Sequence, residues 1–80
     1  MTHGTDKTPT PHRIVFGDRV RELRLAAGMS QEDLAEASGL HRTYVSSLER
    51  GQRNVGLDNI VALASALKIE PAELFKDGDA

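Results

Sequence analysis

Residues 31–54, QEDLAEASGLHRTYVSSLERGQRN, decide how this 80-residue chain is read. Counted from Gln31, Ala35, Gly39, Val45 and Leu48 fall at positions five, nine, fifteen and eighteen. That is the spacing of a unit of about twenty residues in which two short helices are joined by a tight turn. Helices crossing at about a right angle bring their backbones together, so the contact residue on the first must be small, and Ala35 is. The turn needs a residue free of a Cβ penalty at positive φ, which Gly39 supplies. Leu34, Val45 and Leu48 provide the apolar side chains that fix both helices to a common core.

The polar residues of the second helix indicate what the unit offers a partner. At about 100° per residue, Arg42, Thr43, Ser46, Ser47 and Arg50 share an arc of roughly 140°, with His41, Val45, Leu48 and Glu49 on the other side. The arc holds two arginines, three hydroxyls and no carboxylate, whereas a merely solvated face mixes both signs of charge. Arginine bonds bidentately to guanine, and hydroxyls reach base edges or phosphate oxygens, so the pattern points to double-stranded DNA. Tyr44 stands at the boundary of the arc, where a phosphate contact, a thymine-methyl contact and plain packing are all open.

Composition bounds the rest. A chain of this length makes one domain with a small core, for which a partner subunit is expected. Cysteine is absent, which excludes disulfide and thiolate chemistry. No apolar run has the length of a membrane span or a signal-peptide core, so a soluble, cytoplasmic, nucleoid-associated protein is expected. The net charge of −2 is unusual for a nucleic-acid binder, but it is unevenly distributed. Residues 1–30 hold five basic and three acidic groups, and residues 54–80 hold two basic and five acidic ones. Between His41 and Asn54, Arg42, Arg50 and Arg53 stand against Glu49 alone. Catalysis needs convergent titratable groups in a pocket, and short helices with His41 as the one histidine outside the N-terminal tail do not promise one. His3 and His12 read as incidental residues of that tail, so no metal, no cofactor and no enzymatic activity are expected.

Residues 1–13 are expected to form a disordered tail, residues 14–76 a helix-turn-helix DNA-binding domain, and residues 77–80 a frayed end. The first helix is expected from about Val15 to Ala27, with Phe16, Val20, Leu23 and Ala27 on one face, Arg24 at its edge and Gly28 as its stop. Ser30 and Asp33 form an N-cap pattern, which starts the second helix near Gln31. The third runs from about Arg42 to Arg50 before Gly51, and the fourth from Leu57 to Leu67. Pro71, Leu74 and Phe75 suggest a short fifth helix. On the fourth helix Leu57, Ile60, Val61, Leu63, Ala64 and Leu67 occupy an arc of about 160°, wider than one small core requires. A homodimer interface of Leu57, Ile60, Val61, Ala64, Leu74 and Phe75 is therefore expected, and a two-fold dimer suits two DNA half-sites.

From about Phe16 to Phe75 the chain resembles the phage repressor and Cro type of helix-turn-helix domain, the xenobiotic-response-element family. The runs HRTYVSSLERGQRN and LDNIVALASAL are similar to controller proteins of restriction-modification systems. The resemblance implies an all-α, five-helix repressor-like domain, expected to be dimeric, that regulates transcription from a pseudo-palindromic operator by blocking or recruiting RNA polymerase. It assigns base contacts to Arg42, Thr43 and Ser46. Backbone contacts fall to Gln31, Arg53 and Asn54, joined by Tyr44, Ser47 and Arg50 from the exposed arc. It pairs Arg24 with Glu49 as a partly buried ion pair. The chain departs from the family pattern at His41, where a small polar cap is frequent, and at Gly56, where Ser or Thr often caps the fourth helix. The alternative is a protein-protein adaptor or antitoxin-type partner built on the same fold, which an apolar or acidic recognition face would favour.

Overall fold

A computed structural model describes residues 8–76. These residues form α1 (Pro11–Ala26), α2 (Gln31–Ser38), α3 (Arg42–Glu49), α4 (Leu57–Leu67) and a 3-10 helix at Pro71–Phe75, with no strand among them. The expected disordered stretch at 1–7, with His3, and the expected fraying at 77–80 lie outside the described residues.

α1 starts four residues before the expected Val15, so Pro11, His12 and Arg13 belong to the helix and not to the tail. Apolar periodicity misses this turn because its start is set by capping. The Thr10 hydroxyl accepts from the Arg13 amide at 3.3 Å, and Pro11 takes a first-turn position where its missing N–H costs nothing. α2 opens with a reciprocal capping box. The Asp33 amide donates to Ser30 Oγ and the Ser30 amide to Asp33 Oδ2, both at 2.9 Å. Donation from the Ser30 amide, and after it the Ser30 side chain, holds the Asp33 carboxyl below its ordinary pKa. Gly39 ends α2 at φ 77°, the left-handed conformation that the helix-turn-helix corner requires.

The expected fifth helix is a 3-10 turn, leaving four α-helices. Its five residues are closed by i→i+3 bonds, such as Glu73 N–H to the Glu70 carbonyl at 2.9 Å, the tighter winding common in short helical pieces. Arg19 Nε donates to the Glu73 carbonyl at 2.8 Å and so ties this turn back to α1. Phe75 lies against Phe16 with ring centroids 5.4 Å apart.

The core consists of Val20, Leu34, Ala35, Val45, Leu48, Leu63, Ala64, Leu67 and Leu74. Ala64 and Leu74 are thus corrected from expected interface residues to core. Their faces are consumed where α4 and the 3-10 turn close over the helix-turn-helix, which a helical projection of α4 alone does not reveal.

α1 crosses α3 at Gly17, a residue the sequence reading passed over. A Cβ there would strike the Leu48 carbonyl oxygen and lie 2.8 Å from that of Glu49. Both are backbone atoms and cannot swing aside. Gly17→Ala is expected to destabilise the fold by about 3 kcal/mol, the upper range for overpacking, and urea melts of parent and variant measure it.

Candidate nucleic-acid interface

α3 is built from two opposed faces. Val45 and Leu48 are buried in the core, and Glu49, the one acidic residue of this helix, is turned inward with them. Its carboxylate accepts from Arg24 Nε at 2.7 Å, Arg24 Nη2 at 3.0 Å and Gln31 Nε2 at 3.1 Å. Arg24 Nη1 also donates to the Met29 carbonyl, in the turn before α2, at 2.8 Å. Hydrogen bonding to Glu49, ahead of the opposing effect of burial, raises the Arg24 pKa above its ordinary value. The side chain of Glu49 retains 3% of its exposure, so this charge is neutralised inside the protein and does not repel a polyanion.

On the outer face Arg42 and Thr43 are exposed, and Ser46 is half-buried behind them. Ser46 Oγ accepts from Arg50 Nη1, and Arg50 Nη2 reaches Gln52 Oε1 at 3.3 Å. Arg50 therefore lies along the helix and over the following loop. Asn54 is exposed in that loop.

Ser47 is corrected. It is 5% exposed, donates from Oγ to the Tyr44 carbonyl at 3.0 Å and accepts from Arg53 Nε at 2.9 Å, so its hydroxyl is unavailable to a ligand. The loop after α3 folds back over this edge of the helix, with the Gln52 amide donating to the Ser47 carbonyl at 3.0 Å. The projection of an isolated helix does not contain that loop. Gln31 is likewise drawn inward at its amide nitrogen, which braces Glu49.

Tyr44 packs against the core with part of its surface exposed. The Arg53 guanidinium carbon lies 5.4 Å from its ring centroid, a cation–π contact. The Tyr44 hydroxyl accepts from Asn59 Nδ2, on α4, at 3.1 Å. Sequence reasoning overlooked Asn59, since nothing local to α4 indicates that it meets a residue on α3. His41 precedes α3 without a side-chain cap, and Gly56 does the same for α4.

Comparison with known proteins agrees with this arrangement. A helix-turn-helix family model matches residues 20–74. The control protein C.BamHI of Bacillus amyloliquefaciens is 52% identical over 64 residues, covering 79% of each chain. The chain belongs to the helix-turn-helix family, in its restriction-modification controller group. The crystal structure of the controller C.AhdI from Aeromonas hydrophila is 63% identical, with a TM-score of 0.78 over 79% of this chain and 96% of that one. The controller C.Esp1396I bound to a 19 base pair DNA duplex is 32% identical, with a TM-score of 0.77 over 82% of this chain and 88% of that one. This controller chain has no helix among its described residues long and apolar enough to cross a membrane. Regulators of this family are not an enzyme class.

Because Glu49 and Arg24 are buried together, truncating one strands the other. Glu49→Ala is expected to cost about 3 kcal/mol, well beyond a surface pair. A thermal melt of the variant that overlays the parent's would show that the pair contributes nothing.

Proposed function

We propose that this chain is a sequence-specific, double-stranded-DNA-binding transcription regulator that acts as a homodimer on a pseudo-palindromic operator in the cytoplasm. The observation that carries this reading is the face of α3, where Arg42 and Thr43 are free to approach a partner while the helix's one carboxylate is buried and paired. The controller group and the DNA-bound relative support it. Arg42, Thr43 and Ser46 read base edges in the major groove, and Tyr44, Arg50, Arg53 and Asn54 meet the backbone on either side. Occupancy of a promoter blocks or recruits RNA polymerase according to where the site lies.

Dimerisation is supported by apolar surface that the core leaves uncovered. Leu57 is 74% exposed, Phe75 64% and Val61 49%. Beside Phe75 opens an apolar cleft of about 540 Å³, lined by Val15, Phe16, Val55 and Ile60 among others. Such surface on so small a domain suits a self-complementary interface. In a dimer the recognition helices sit roughly 34 Å apart, one turn of DNA. Sedimentation at micromolar concentration is expected to give a dimer that Leu57→Asp or Phe75→Asp dissociates; a parent that stays monomeric defeats this interface.

Arg42 and Arg53 are expected to differ in kind. On a site recovered by selection from random duplexes, Arg42→Ala loses about 1–3 kcal/mol and loses little on random DNA. Arg53→Ala weakens both and lowers the salt slope by about one unit. Salt titrations on both duplexes decide this, and an unchanged ratio of specific to random affinity in Arg42→Ala would remove base reading from that residue.

A further inference from the structure

We infer that Asn59 is a positioning residue for the DNA-backbone contact, holding Tyr44 so that its hydroxyl proton is delivered to a phosphate oxygen. This rests on the DNA-binding reading above. A phenol has one proton to donate and lone pairs with which to accept. Asn59 Nδ2 fills an accepting site at 3.1 Å, and among the described residues the hydroxyl proton has no acceptor. A phosphate oxygen is an acceptor only, so it matches the one function left on this hydroxyl. A thymine methyl does not. Donation from the amide also polarises the phenol and strengthens it as a donor.

The ring is held from a second direction. Arg53 lies over it at 5.4 Å, and the Arg53 Nε is pinned by Ser47 Oγ at 2.9 Å, whose own proton goes to the Tyr44 carbonyl at 3.0 Å. The terminal nitrogens of Arg53 remain without a partner among the described residues. One tyrosine ring therefore carries a hydroxyl donor fixed by α4 and, against its face, a guanidinium fixed by α3. Asn59 is the link through which α4, outside the helix-turn-helix, sets the geometry of that contact.

Tyr44 is the only tyrosine and the chain has no tryptophan, so intrinsic emission reports on it alone. In the absence of DNA, Asn59→Ala is expected to change that emission while the thermal midpoint stays close to the parent's. On duplex DNA, Asn59→Ala is expected to weaken specific and random binding alike by about three- to tenfold. Tyr44→Phe is expected to lose a similar amount, and the double variant no more than Tyr44→Phe alone. Unchanged emission in Asn59→Ala, or losses that multiply in the double variant, would overturn the inference. Tight parental binding untouched by Asn59→Ala defeats the positioning role alone. A parent that binds no duplex defeats the proposed function, and the phosphate role with it.

Discussion

The Arg24–Glu49 ion pair is the constraint on which the rest of the structure depends. Arg24 comes from α1 and Glu49 from the end of α3, while Met29 and Gln31, in and after the first turn, complete their hydrogen bonds. Three segments that also share the apolar core are thereby fixed in direction around one charge pair. A hydrophobic replacement of similar size would hold them as firmly in free energy but with less definition of angle, because only the fork of a guanidinium demands a carboxylate in its plane. The same pair withdraws the only acid of α3 from the surface. One interaction thus bears both on the stability of the fold and on the charge of the outer face of α3.

Gly17 complements it. Where α1 meets the C-terminal end of α3, the backbones approach too closely for any side chain. Arg24, seven residues further along α1, meets Glu49 from the same helix. The crossing is defined by a close contact at one point and a directional bond at another, and this orients α3 against the scaffold without a large core.

Much of this was legible in the sequence because it is written in local rules. Ser30 and Asp33, Gly39, and the bounds of α4 follow from capping, turn and periodicity chemistry, and each acts within a few residues of its own position. The departures have a common cause. Ser47, Ala64 and Leu74 each look outward on an isolated helix, and each is covered by a segment distant from that projection. Asn59 was invisible for the same reason, since its partner Tyr44 is fifteen residues away on another helix. The first turn of α1 was lost differently, because Thr10 and Pro11 start a helix whose exposed residues show no apolar stripe.

The bond from Arg19 to Glu73 joins residues 54 apart, the longest reach of any side-chain bond described. Closing so large a loop is slow compared with forming the neighbouring turns of α1, α2 and α3. The seating of Leu74 and the placing of Phe75 beside Phe16 therefore depend on a contact between the two ends of the described residues. An apolar surface that includes Phe75 exists only once the chain has closed upon itself. Phe75 therefore owes its position to this long-range tie, whereas the exposed Leu57 and Val61 stand on α4 itself.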